Sequence, residues 1–181
     1  MTVWRLVALL ATLLIVLYTP VILKMGYPEW SPGLGLGILP VLGAYFVHVG
    51  EYTLSAFIAS MPSYFLVHNL LLLNEFPDVD ADITIGRRTL PIVLGRKGAA
   101  VVFSLFLILV YFWIAGAVIL RTMPVWTLLT LLTLPIAVQV IRGAFRYDDM
   151  DVFLSTMMKN VLLILSIQAL IAAGYILGGI F

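Results

Sequence analysis

Two aspartates, Asp78 and Asp82, stand four residues apart near the middle of the chain. On a helix that spacing puts both carboxylates on one face, one turn apart. Like charges so placed repel unless a cation sits between them. Mg²⁺ suits such a site, because it is often held by one or two carboxylates plus the phosphates of a substrate. Asp80 falls on another face. Asn74 would extend the series to N-x-x-x-D-x-x-x-D if the helix ran on through Pro77. A proline in a helix interior costs a backbone hydrogen bond, but it suits the first turn of a new helix. The expectation is therefore a short helix starting near Pro77, carrying Asp78 and Asp82 and stopping at Gly86. Arg87 and Arg88 follow, and guanidinium groups are good diphosphate partners. A charged, solvated loop is the competing reading, and spacing alone leaves it open.

These residues belong to NEFPDVDADITIGRRTLPIVLG, residues 74–95, which hold four of the nine acidic and two of the ten basic side chains. The 181-residue chain as a whole is strongly apolar: 63% of it is hydrophobic, 10% is charged, and the mean hydropathy is +1.15. A soluble domain carries about a quarter charged residues. The composition is that of a polytopic membrane protein. With no cysteine, disulfides, thiolate metal sites and cysteine nucleophiles are excluded. No basic stripe supports nucleic-acid binding.

A spanning helix needs roughly 20 mostly apolar residues. Six candidates follow, over about 6–23, 33–49, 52–73, 99–120, 124–141 and 153–180. The first is longer than a signal-peptide core and has no small-residue cleavage site after it, so it reads as a span. The TLPIVLG segment is expected to dip back into the membrane interface. Loops on one side carry Lys24, Arg87, Arg88, Arg96, Lys97, Arg142, Arg146 and Lys159, and the other side carries Arg5 and Arg121. That bias makes the acidic loop cytoplasmic and turns both ends of the chain outward.

The acidic stretch resembles the second aspartate-rich motif of the UbiA superfamily of intramembrane prenyltransferases. Asp78, Asp82, Gly86, Arg87, Thr89, Leu90, Leu94 and Gly95 match a D-x-x-x-D followed by G-[KR]-x-T-L-x-V-x-L-G. YTPVILK, residues 18–24, resembles the tyrosine-proline-lysine segment of an earlier loop in that family. The resemblance implies an all-α transmembrane bundle, residues 1–181 forming one domain that corresponds to the last six helices of a nine-helix fold. The family's first motif, N-D-x-x-D-x-x-x-D, has no counterpart here, so an N-terminal part is expected to be missing, or a separate chain supplies it.

The resemblance further implies Mg²⁺-dependent transfer of a prenyl group from a prenyl diphosphate to an aromatic acceptor. Asp78 and Asp82 would hold metal, and Asn74, Lys24, Arg87 and Arg88 would hold the diphosphate. Tyr18 would face the allylic cation with its ring. The wording of the motif is most similar to the quinone-pathway branch that prenylates 1,4-dihydroxy-2-naphthoate. Related branches use 4-hydroxybenzoate, homogentisate or geranylgeranylglyceryl phosphate. The alternative is a noncatalytic or split-subunit membrane protein.

Other polar residues have plainer expectations. His68, Asn69, Gln139 and Gln168 read as hydrogen-bonding groups between helices, with acceptor binding a second option for His68 and Asn69. His48 and Glu51, and Asp148, Asp149 and Asp151, read as solvated loop residues. The glycines within GLGLG, residues 33–37, allow close helix packing. Tyr111, Trp113 and Trp126 read as lipid-facing or interfacial aromatics.

Overall fold

The computed structural model describes residues 3–180, and among them it contains only helices and connecting turns. Helix α1 (Val3–Tyr18) leads through a 3-10 turn (Ile22–Lys24) to α2 (Trp30–Pro32). A π-helical stretch (Gly33–Ile38) joins α2 to α3 (Leu39–Val49) without a break. Helix α4 (Leu54–Thr84) is followed by the single turn α5 (Leu90–Val93) and by α6 (Gly95–Ile119). A 3-10 helix (Val125–Thr133) runs into α7 (Leu134–Ala144), and α8 (Met150–Ile180) ends the described chain.

Five of these stretches are long and apolar enough to cross a membrane: Trp30–Val49, Leu54–Thr84, Gly95–Ile119, Val125–Ala144 and Met150–Ile180. The sixth expected span is a shorter apolar helix, Val7–Tyr18. It stops short of the predicted end at 23. Pro20 lies two residues beyond Tyr18 and has no N–H to continue the ladder, and it biases its predecessor away from helical backbone.

The larger correction concerns α4. It runs unbroken for 31 residues through both Pro62 and Pro77, so no new helix starts at Pro77. Pro77 does remove the N–H that would bond the Leu73 carbonyl. Packed membrane helices tolerate that loss because neighbouring groups hold the backbone in place. Leu72, Leu73 and Phe76, just before the proline, are all buried, and Arg96 Nε donates to the Phe76 carbonyl at 3.3 Å. The helix begins on Thr53, whose Oγ1 accepts the Ala56 N–H at 3.2 Å. It ends at Gly86, whose φ of +73° takes up the left-handed conformation that suits glycine.

Helix α4 is the centre of the bundle. One side meets the Gly33–Ile38 stretch and another meets α6. The close approach depends on Gly37. A Cβ there would lie 2.8 Å from the Ser63 carbonyl and from the Tyr64 backbone. The other dense contact sets α8 against the 125–133 segment. Its 3-10 winding has a visible cause. Thr127, Thr130 and Thr133 recur every third residue, so they stack on one edge of a three-fold helix. Each hydroxyl donates to the carbonyl three residues back, at 2.7, 2.8 and 2.7 Å. Tyr111 donates to Thr133 Oγ1 at 2.7 Å.

Tyr111 therefore faces the protein interior, contrary to the lipid-facing expectation. Trp113 also turns inward, donating from Nε1 to the Ile58 carbonyl at 2.9 Å. Trp126 is exposed. Asn69 Nδ2 donates to the Phe103 carbonyl across to α6 at 2.8 Å, and Gln168 Nε2 donates to Ser63 Oγ at 2.7 Å, as hydrogen bonds between helices. Gln139 accepts from Lys159 Nζ at 3.2 Å. His48, Glu51, Asp148, Asp149 and Asp151 are exposed or half-exposed, and Arg146 pairs with Asp149 at 3.1 Å.

The packing makes a direct prediction. Gly37→Ala forces α4 away from the π-helical stretch and costs about 1–3 kcal/mol, the usual range for overpacking. Gly43→Ala, where nothing lies within 4 Å of the added methyl, should be neutral or slightly stabilising. Thermal unfolding of the two variants in detergent, side by side, checks this.

Candidate active site

Because α4 does not break, Asn74, Asp78 and Asp82 form one i, i+4, i+8 series along a single helical face. Asn74 and Asp78 are exposed, whereas Asp82 is only 4% exposed. The difference comes from the chain folding back over the helix end. After Gly86 the backbone reverses, and the Arg87 N–H donates to the Asp82 carbonyl at 3.0 Å. The Arg87 guanidinium then meets Asp82 Oδ1 at 2.9 Å, with its own side chain still 40% exposed. Asp80 points elsewhere, 3.9 Å from Arg96.

The return segment is pinned at two further points. The Arg88 N–H donates to the Leu23 carbonyl at 2.8 Å. That bond sets Arg88 beside the turn that ends in Lys24. Lys24 and Arg88 are both exposed. The Leu90 N–H donates to Glu29 Oε1 at 2.7 Å. Glu29 is fully buried, and burial holds its carboxyl above the usual range, although its hydrogen bonds pull the other way. Tyr18, half-buried at the end of α1, lies in the electrostatic field of Glu75, Glu29, Arg87 and Asp82. All seven residues expected to bind metal or substrate, Tyr18, Lys24, Asn74, Asp78, Asp82, Arg87 and Arg88, thus sit on elements that meet at this end of the bundle.

Glu29 and Glu75 are not among the residues that spacing and motif single out. Glu75 follows Asn74 directly and is buried, in hydrogen-bonding reach of Glu29. A partial signal is available in the sequence, since Glu29 is the sole acidic residue before Glu51 and a buried charge needs a partner, whereas Glu75 is masked by the aspartates that follow it. His68, one of the expected interhelical groups, has aromatic surroundings. It stacks on Phe106 with ring centroids 4.0 Å apart and meets Tyr27 edge-on at 5.5 Å. Its Nδ1–H donates to Asn69 Oδ1 at 3.3 Å.

Among the described residues no three His, Cys, Asp or Glu side chains gather as a protein-only cation cage. The pattern is instead two carboxylates on one face with cationic side chains close by. That donor set fits a hard cation shared with phosphate oxygens.

Over 143 residues the chain is 29% identical to the 1,4-dihydroxy-2-naphthoate octaprenyltransferase of Bacillus subtilis (strain 168). The match takes in 79% of this chain and 44% of that protein, so the chain spans less than half of its relative's length. No solved structure matches the chain. The model of the UbiA prenyltransferase family matches residues 2–176, nearly the whole chain, and the protein belongs to that family.

Proposed function

We propose that this chain forms the diphosphate-binding part of a membrane prenyltransferase. The reaction joins a prenyl group to an aromatic acceptor of the 1,4-dihydroxy-2-naphthoate kind, in quinone biosynthesis. The observation that carries the reading is the unbroken Asn74–Asp78–Asp82 face, whose last carboxylate pairs with Arg87, with Arg88 and Lys24 on adjoining turns. The name of the Bacillus relative supports the acceptor class.

A prenyl diphosphate is an apolar tail on a highly charged head. The bundle offers both environments at one end of α4, with apolar helix surface next to a cationic rim. Asp78 and Asp82 would hold Mg²⁺. The metal, when bound, would supply positive charge against the diphosphate oxygens as the allylic C–O bond breaks. Arg87 orients Asp82 and keeps an accessible guanidinium for a phosphate oxygen. Arg88 and Lys24 add two more donors, and Asn74 adds a neutral one. The Tyr18 ring would face the developing allylic cation.

The bias of lysine and arginine toward the loops around this site supports a cytoplasmic position for it. The family's first aspartate-rich motif, which the resemblance requires, would come from outside these 181 residues, on the same polypeptide or on a separate one.

Asp78→Asn and Asp82→Asn should each lower Mg²⁺-dependent prenyl transfer about 100-fold or more, the scale of losing one electrostatic stabiliser. Radiolabelled prenyl diphosphate and 1,4-dihydroxy-2-naphthoate, supplied to membranes carrying the complete enzyme, give the readout. Near-normal turnover in both variants sinks the assignment. Arg88→Ala should raise KM for the prenyl diphosphate about tenfold, the value of one charge-assisted hydrogen bond. The acceptor is tested by exchanging it for 4-hydroxybenzoate, which should be a poor substrate.

A further inference from the structure

Glu29 and Glu75 come from distant parts of the chain, yet their carboxyls lie within hydrogen-bonding reach of each other. Glu29 is 0% and Glu75 6% exposed. One oxygen is accounted for, since Glu29 Oε1 accepts the Leu90 N–H. If both groups are ionised, Glu29 Oε2 and Glu75 Oε2 are buried with no donor at all. Two buried like charges in contact, each with an orphan oxygen, are costly. A single proton held between them removes one charge and provides the missing donor.

We propose that Glu29 and Glu75 are positioning residues, a carboxyl pair sharing one proton that latches the return segment so that Arg87 and Arg88 stand over the aspartate face. The latch works through Leu90. Glu29 grips the Leu90 amide, Glu75 holds Glu29 to α4, and residues 85–89 are strung between that point and the end of α4. Without the grip, the segment keeps the Arg88–Leu23 backbone bond, the Arg87 contacts to Asp82 and the helix-end bonds of the Ile85 and Gly86 amides, but loses the tie that fixes Leu90 to the 22–29 turn. Neither glutamate needs to touch substrate.

The charged and titratable groups facing the pair are Tyr18 from α1, Tyr27 from the adjoining loop, Asp82 from α4 and Arg87 from the return segment. Arg87 opposes the charge of the pair, and Asp82 adds to it. The sign follows from burial. Burial raises the Glu29 carboxyl above its ordinary value. The latch is therefore closed at low and neutral pH and is lost as pH rises through the raised value.

The inference deepens the prenyltransferase reading, but its test does not need turnover. The chain has no cysteine, so Ile85→Cys gives a single attachment point for a nitroxide on the exposed rim of the segment. In the otherwise unaltered protein in membranes, the spin-label spectrum should be restrained at neutral pH and gain a mobile component at strongly alkaline pH. Glu29→Gln and Glu75→Gln replace the shared proton by an amide N–H. Each should stay restrained across the whole range. Glu29→Ala should be mobile throughout, and in the transfer assay its KM for prenyl diphosphate should rise about tenfold with kcat little changed, the scale of losing a supporting partner.

A spectrum that does not titrate overturns the proposal. So do Gln variants that titrate like the parent, even if Glu29→Ala fails to fold. If the spectra behave as expected while no prenyl transfer is found, the latch stands and the enzymatic reading falls.

Discussion

The bond from the Leu90 amide to the buried Glu29 carboxyl decides where the polar end of this bundle closes. Leu90 is the first residue of a one-turn helix, and its N–H has no partner within that helix. Glu29 sits at the mouth of the next span, too buried to be satisfied by water. Each group solves the other's problem, and together they draw the segment after Gly86 down against the 22–29 turn. Two further contacts hold the charged groups at this end beside that closure. Arg88 lies beside Lys24 because Leu23 offers its carbonyl to the same segment. Asp82 is covered because Arg87 is folded back over it.

The second constraint is mechanical. Helix α4 carries its face of polar residues past Pro77 because the helix is gripped on two sides. Gly37 lets the π-helical stretch touch the α4 backbone near Tyr64, and α6 packs along the other side with Phe103 and Asn69 bonded across. A free helix with a proline at this point would bend or end. A gripped one keeps its register, so Asn74 stays in line with Asp78 and Asp82. The register turns three separated residues into one surface.

The apolar half of the molecule follows a different rule. Exposure of large apolar side chains such as Ile15, Phe112 and Leu165 is normal where lipid replaces water, so the outward residues of α1, α6 and α8 need no partners. Polar atoms in these helices do need them. They find them across helix contacts, as Gln168 does with Ser63 and Trp113 with the Ile58 carbonyl. The threonine ladder of 127, 130 and 133 shows the same rule at work on the backbone. Side-chain hydroxyls spaced by three favour a three-fold winding that a plain apolar sequence would not choose.

The all-helical membrane class, the approximate spans and the shared face of Asp78 and Asp82 were legible in the sequence, because hydropathy and residue spacing act locally. The D-x-x-x-D spacing, the stop at Gly86 and the arginines after it needed no neighbours to be recognised. The continuity of α4 was not legible. A proline's local cost argues for a break, and the contacts that outweigh it come from residues 33–38 and from α6. The inward turn of Tyr111 and Trp113 was hidden for the same reason, since an aromatic in an apolar helix looks alike whether it meets lipid or protein. Glu29 and Glu75 lie far apart in the chain, and only the tertiary fold joins them. Local chemistry belongs to the chain, and the pairing of buried polar groups belongs to the packing, because desolvation has no meaning until distant segments meet.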